Sequence, residues 1–468
     1  MSTPSPCFDP AVLRRYDIPG PRYTSYPTAP QFLDDFSEGD LRRWAFRSNV
    51  RSIPRPLSVY VHVPYCPSPC FYCACNRSIN RSPQQGDHYV ERLLQEVRLV
   101  ASLFDARREV IQLHLGGGTP NFLRPAQLTR LMGGLARGFR LGRSVDRDFS
   151  IELDPRLVRA GDIEALAQLG FNRVSLGVQD FDARVQRAIN RVQSVYETFA
   201  VIEACRVSGM RSINVDLIYG LPLQTLEGFE QTLDTVIVAH PERIAVYAYA
   251  HMPAIFKAQR QIRLADLPGP EARLALLRLA IGRLGAAGYH YIGMDHFARP
   301  EDDLARAQQG GCLQRTFMGY TTHVGCDLIG LGPSAISHVG DSYTQNHRQV
   351  AEWESALDRN CLPVARGIEL DADDLVRAEL IQQLMCYGEI DLEAIERQHG
   401  IVFGDYFCAE LRQLESLITD GLLRIEPKRI RTTELGRLLS RAIASCFDRY
   451  LTATQTANAG RPRFSKVV

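Results

Sequence analysis

Six short runs of β-branched and aromatic residues, spaced by amphipathic stretches, restrict what this chain can fold into. The runs are LSVYVHV (57–63), VIQLHL (110–115), FSIEL (149–153), RVSLGV (173–178), SINVDLIY (212–219) and RIAVYAY (243–249). Between several of them lie YVERLLQEVRLVASLF (89–104), AQLTRLMGGLARGF (126–139) and TLEGFEQTLDTVIVA (225–239), whose apolar residues recur at helical spacing. Strand, helix, strand in this rhythm builds right-handed crossovers and a parallel sheet. Nearly continuous apolar strands need cover on both faces. The expected class is α/β, a complete or partial (β/α) barrel. A doubly wound nucleotide fold is the alternative, but GGGTP (116–120) lacks its glycine spacing.

Polar and glycine residues fall at the carboxyl ends of these runs. They are 66–75, then GGGTP, then Glu152 and Asp154, Gln179 and Asp180, Asp216 inside the fifth run, and 249–251. Parallel α/β sheets and barrels build their sites at that edge. CPSPCFYCAC (66–75) spaces Cys66, Cys70 and Cys73 as C-x3-C-x2-C, with Cys75 one residue later. Structural zinc usually takes four ligands as two separated pairs, and wrapping all four of these sulfurs around one ion would strain the loop. Three thiolates at this spacing suit three corners of an iron–sulfur cube, leaving one iron open. The remaining eight cysteines are scattered singly and read as small apolar residues or inert thiols.

Composition bears on the compartment. The net charge of +1 gives no electrostatic case for nucleic acid or an anionic membrane. The N-terminus MSTPSPCFDPAVLRRYDIPG has no apolar signal core, and no run reaches the ~18 apolar residues of a membrane span. A cytoplasmic protein is expected, its clustered cysteines serving a metal and not disulfides.

Four segments follow: an arm over the active site (1–50), the barrel (51–300), a barrel extension with substrate-site loops (301–370), and a helical, winged-helix-like domain (371–468). The last has balanced charge and no basic recognition face. GPRYTSYPTAPQF (20–32), with three prolines, cannot be a central strand or helix and is expected to lie over the open barrel end. Removal of residues 1–30 is expected to leave a protein that still holds its cluster but has lost turnover.

C-x3-C-x2-C after the first strand, with Tyr72 before the last cysteine, resembles the radical S-adenosylmethionine (SAM) enzymes. The wider chain resembles their porphyrinogen-oxidising branch, through PRYTSYPTA, YVHVPYCPSPCFYCACNR, HLGGGTPNFL, IELDPR, GVQDFDARVQRAINR, NVDLIYGLPLQT, FMGYTTHVGCDLIGLGPSAIS and RPRFSKVV. The resemblance implies a [4Fe–4S] cluster on Cys66, Cys70 and Cys73, and two SAM molecules. It assigns SAM contacts to Tyr60, Tyr72, Gly117, Gly118, Thr119, Glu152, Gln179, Arg191, Asp216, Ala250 and Ile336. Arg191 and Asp216 would meet the carboxylate and ammonium of the second SAM, unless they form an ordinary ion pair with each other. Cys75 is implied as a non-ligand needed for turnover. Tyr60 and His62, expected with Cys75 among the catalytic residues, point the same way into the barrel, where His62 would orient ligands. The implied reaction turns two propionates of coproporphyrinogen III into vinyl groups by way of a 5′-deoxyadenosyl radical, and Arg22, Arg260, Arg299 and Arg315 are candidate propionate partners. An electron donor such as flavodoxin or ferredoxin and a monomeric state complete the expectation. Two alternatives stand beside it: a haem-binding chaperone on the same scaffold, and a zinc-stabilised interaction protein. His323 and Cys326 depart from the family pattern at the substrate lid.

Overall fold

The structure is a computed structural model describing residues 9–451. Cys7 and the terminal RPRFSKVV lie outside the described residues. The chain packs as two units, one of residues 32–268 with 325–369, the other of 9–31, 269–324 and 370–451. This division cuts across the expected segments 1–50, 51–300 and 301–370.

The first unit is built on a mostly parallel sheet. Its strands are β1 (Leu57–Val63), β2 (Glu109–Gly117), β3 (Asp148–Leu153), β4 (Arg173–Gln179), β5 (Ser212–Tyr219) and β6 (Arg243–Ala248), each paired in parallel with the next. Val59, Val61, Leu113, Leu115, Ile151, Leu176 and Val215 are all fully buried, as nearly continuous apolar strands require. Beyond β1 lies β7 (Asp327–Leu331), also parallel, and then the antiparallel β8 (Ile336–His338), β9 (Ser342–Asn346) and β10 (Val364–Glu369). The sheet does not close on itself, so the (β/α) barrel is a partial one.

The connecting helices carry the stop and start signals their ends need. Pro83–Ala101 and Pro125–Gly138 open on proline, whose missing N–H costs nothing in the first turn. Val195–Val207 is capped by Ser194 and Glu197, which bond each other's backbone amides, and Leu226–Val238 by the Thr225 hydroxyl.

In the second unit, helix Ala372–Tyr387 starts at a capping box between Asp371 and Asp374 and ends at Gly388 in the left-handed region. Helices Leu392–His399 and Cys408–Thr419 pack with a small antiparallel sheet of Glu389–Asp391, Arg429–Thr432 and Leu423–Ile425. This is the helical C-terminal domain expected from the sequence.

The N-terminal residues pack into the second unit: Leu13, Tyr23 and Tyr26 join the apolar core that holds Leu380, Leu384, Phe407 and Ile443. The Tyr23 hydroxyl donates to Asp448 at 3.1 Å, and the Arg441 side chain donates to the carbonyls of Gly20 and Pro21. Two aromatic side chains with polar tips bury well once those tips find partners. Arg22, expected to meet a propionate, is paired with Asp295.

Candidate active site

The cysteine loop leaves the carboxyl end of β1 and is pinned from several sides. The Asn80 amide donates to the Cys66 carbonyl at 3.0 Å and the Phe71 amide to the Ile189 carbonyl at 2.9 Å. Asn190 Nδ2 donates to the Pro69 carbonyl at 2.6 Å. Gln259 Nε2 donates to the carbonyls of Tyr72 (3.0 Å) and Ala250 (3.1 Å), tying the loop to the end of β6. The sulfurs have donors of their own: Thr119 Oγ1 on Cys66 at 3.2 Å, and the Cys75 amide on Cys73 at 3.4 Å. Arg191 Nη1 and Arg156 Nη2 lie 3.7 and 3.9 Å from Cys70 Sγ.

Three guanidiniums thus serve this loop, since Arg77 Nη2 also donates to the Cys70 carbonyl at 3.1 Å. Cation and amide donors favour thiolate over thiol. The Cys75 hydrogen bond and the Arg77 charge bring the Cys73 thiol down to about 6 despite its burial. Burial pushes Cys66 up to about 11, with the Thr119 hydroxyl opposing it. Cys75 is raised well above its ordinary value by sharing a hydrogen bond with Cys73. Cys75 is the poorer thiolate of the two.

GGGT (116–119) is where β2 ends against this loop. A Cβ on Gly118 would sit 2.9 Å from the carbonyl oxygens of Val63 and Tyr65. Gly117 has φ +111°, and a Cβ there would strike the His62 ring at 2.6 Å. Both positions therefore exclude any side chain. The Gly117 amide donates to Glu152 Oε2 at 3.1 Å, which aims the carboxylate from β3.

These residues enclose a cavity of about 290 Å³. Of the residues expected to form the site, Cys66, Cys70, Tyr72, Cys73, Cys75, Gly117, Gly118, Thr119, Glu152, Gln179, Arg191 and Asp216 line it. Tyr60, His62, Ala250 and Ile336 do not. His62 stands behind the wall, with Nδ1 3.0 Å from the Tyr60 hydroxyl and Nε2 2.8 Å from the Asn76 carbonyl. The carbonyl can only accept, so Nε2 carries the proton and Nδ1 accepts from Tyr60. Burial holds the imidazole below its ordinary pKa, in keeping with this neutral form. Tyr60 also stacks on His114, centroids 5.8 Å apart. Ile336 sits on β8, two strands from β1.

Arg191 and Asp216 are not each other's partners. Arg191 Nη1 pairs with Asp154 at 3.2 Å, and Nη2 donates to the Gly177 carbonyl at 2.6 Å. Asp216 accepts from Ser175 (3.0 Å) and Asn214 (2.8 Å). Gln179, at φ +71°, sits where the β4–β5 register shifts, an uncommon backbone state for a non-glycine residue.

Sequence reasoning missed Arg77, Arg156, Ser175 and Gln259. The first two were within reach, because arginines flanking a thiolate loop and an acidic strand end are a charge signal. Gln259 had no such signal. Of the arginines considered for propionates, none lines the cavity: Arg299 pairs with Glu301 at 3.4 Å, Arg315 Nε donates to the Arg22 carbonyl and Arg260 Nε to the Pro253 carbonyl.

The donor set suits an iron–sulfur cube. Among the described residues, no three Cys, His, Asp or Glu side chains gather as ligands of a single ion. Separate irons of a cube need spread thiolates instead, with cations and amide donors to offset their charge. Comparison with known proteins agrees. Residues 60–236 match the Radical SAM superfamily and residues 370–439 the HemN C-terminal domain. The chain is a radical SAM oxidoreductase, of a superfamily whose members bind a [4Fe–4S] cluster and SAM.

Oxygen-independent coproporphyrinogen III oxidase of Pseudomonas aeruginosa is 47% identical, over 98% of this chain and 99% of its own length. The protein of that name from Escherichia coli K12 is 45% identical over 100% of both chains. A solved structure of coproporphyrinogen III oxidase (HemN) from Escherichia coli, described as a radical SAM enzyme, superposes with a TM-score of 0.90. It is 44% identical and covers 95% of this chain and 100% of that one. The chain belongs to the oxygen-independent coproporphyrinogen III oxidase family. No described helix is long and apolar enough to cross a membrane.

Proposed function

We propose that this chain oxidatively decarboxylates two propionates of coproporphyrinogen III to vinyl groups, giving protoporphyrinogen IX without oxygen in haem biosynthesis. The observation that carries the reading is the cavity itself, where the three-cysteine loop, the GGGT turn and the Glu152 carboxylate meet at one sheet edge. Cys66, Cys70 and Cys73 would hold the cluster. Gly117, Gly118 and Thr119 give a close-fitting backbone for the amino acid end of SAM, and Glu152 accepts from its ammonium or ribose. When bound, cluster and SAM supply a 5′-deoxyadenosyl radical able to remove one hydrogen atom from a propionate β-carbon. Loss of carbon dioxide from the resulting substrate radical, with one electron passed to an electron acceptor outside the chain, then leaves the vinyl group.

The other residues bind, orient and shield. Arg191 and Asp216 would receive the carboxylate and ammonium of a second SAM, and Tyr60, Tyr72, Gln179, Ala250 and Ile336 would add further SAM contacts. Tyr60, Ala250 and Ile336 lie outside the cavity wall and would act through backbone or neighbouring side chains. His62, with both ring nitrogens engaged, acts as a positioning residue: it holds the Asn76 carbonyl and with it the turn that presents Cys75. Cys75 faces the cavity and would touch substrate or the second cofactor. Radical chemistry needs a site closed to water and stray hydrogen donors. The electron comes from a carrier such as flavodoxin or ferredoxin, and the enzyme works as a cytoplasmic monomer. The test is chromatography of porphyrins after anaerobic incubation with coproporphyrinogen III, SAM and dithionite. Protoporphyrinogen IX is expected. Unchanged coproporphyrinogen beside bound haem would point to the chaperone.

A further inference from the structure

A second cavity, of about 300 Å³, lies against the reverse side of the cysteine loop. Pro67, Leu153 and Arg156 line both it and the active-site cavity, so these three residues are the wall between them. Pro67 follows Cys66 directly, and Arg156 reaches to 3.9 Å from Cys70 Sγ. Its floor is apolar, with Phe122, Leu128 and Leu166. Its charged lining holds Arg81, Arg124, Arg156 and Arg159 and one carboxylate, Asp162. Arg156 is neutralised by Asp154 at 2.6 Å, which leaves Arg81, Arg124 and Arg159 as the rim cations. The Asp162 carboxylate already accepts from the Arg159 amide at 2.9 Å. Arg81 and Arg159 are exposed and make no ion pair among the described residues, while Arg124 holds Asp87 only loosely, at 3.4 Å. The whole chain has a net charge of +1, so this concentration of cations is local and not a consequence of composition.

We propose that this groove is the docking surface for a small electron-carrier protein whose redox group is ringed by carboxylates. The inference rests on the function proposed above, in which each round takes one electron in at the cluster to cleave SAM and releases one from the substrate radical. The cluster therefore has to be reduced by a carrier before SAM is cleaved. Electron transfer weakens steeply with distance, so the carrier must approach where the cluster ligands lie behind a thin wall. The active-site side has to stay closed around substrate. The groove is a separate opening, one wall away from Cys66 and Cys70. In the step served, the carrier is oxidised by one electron and the cluster on Cys66, Cys70 and Cys73 is reduced by one, with no bond formed or broken. Redox partners meet through small, transient interfaces, and complementary charge sets their encounter rate and orientation. An apolar floor with an arginine rim suits that kind of contact.

The experiment measures binding of purified oxidised flavodoxin to the full chain by titration calorimetry at low and high salt. Arg124→Glu with Arg159→Glu should weaken binding roughly tenfold or more at low salt. Arg137→Glu with Arg140→Glu, an equal charge reversal at exposed positions outside the groove lining, should leave it unchanged. Dithionite should reduce both variants as it does the parent, seen as the same bleaching of the cluster spectrum. Unchanged flavodoxin affinity in the groove variant, equal loss in the control pair, or no binding by the parent chain would overturn the proposal. Porphyrinogen turnover driven by dithionite reports on the proposed function alone, so the two can fail separately.

Discussion

Glu152 meets the active-site cavity with one oxygen already held by the Gly117 amide, and the other 3.3 Å from His114 Nε2. A carboxylate so oriented is ready to accept from a cationic ligand. Glu152→Ala should therefore weaken SAM binding while leaving iron content intact. Losing one charge-assisted contact costs about 1.5–3 kcal/mol, or roughly ten- to a hundredfold in affinity. Equilibrium binding checks this, and an unchanged affinity would remove Glu152 from the site. Asp216 adds a pH dependence. Burial and then the nearby Glu152 charge push its carboxyl up to about 6, while Ser175, Asn214 and Arg191 pull it down. A carboxyl raised in this way takes up its proton as pH falls through 6, and the charge needed to hold an ammonium disappears. Affinity for the second SAM should fall over that interval in the parent protein. Asp216→Asn should bind weakly throughout, with the slope abolished. Binding isotherms from neutral pH downward give the answer, and a parent slope that persists in Asp216→Asn would assign the titration elsewhere.

At the level of elements, the GGGT turn is the junction on which the cysteine loop rests. Gly118→Ala forces a Cβ against two backbone carbonyls, which cannot swing aside as a flexible side chain would. Overpacking of this kind costs about 1–3 kcal/mol. The expected result is a lower midpoint in denaturant unfolding together with poorer cluster retention, and a variant equal to the parent in both would show that the turn yields freely. The six parallel strands and their helices were legible because their periodicity is local: the expected run 57–63 coincides with β1, and 212–219 with β5. β7 was less so. DLIGL (327–331) is short, opens on an aspartate and carries a glycine, in a stretch that reads only as loops and short strands without fixed bounds. It becomes a buried strand beside β1 because Arg108 and Ser48, far away in sequence, satisfy the Asp327 carboxylate. Gly330 is needed there since a Cβ would lie 2.5 Å from the Ile336 carbonyl oxygen. The candidate site divides the same way. Cysteine spacing and strand-end polarity mark its lining residues, whereas the pairing of Arg191 with Asp154 instead of Asp216 depends on contacts between separate strands.

For the molecule as a whole, the N-terminal segment gains a structural role once its burial is known. Leu13, Tyr23 and Tyr26 are 0%, 1% and 2% exposed. Deleting a buried side chain of this size costs about 2–5 kcal/mol, against a total of about 5–15 kcal/mol for a typical domain. Removing residues 1–30 should therefore unfold or loosen the second unit as well as abolish turnover, the outcome expected from the sequence. Calorimetry should show the loss of its transition, and an unaltered melting profile would return the segment to a passive tail. The central claim is that three cysteines hold the cluster while the fourth serves the porphyrinogen. The direct measurement is iron content and porphyrinogen turnover of Cys66→Ala, Cys70→Ala, Cys73→Ala and Cys75→Ser, all purified without air. The first three should lose both iron and turnover, and Cys75→Ser should keep its iron and its brown colour yet form no protoporphyrinogen IX. Loss of iron from Cys75→Ser to the same degree as from the other three would contradict the account.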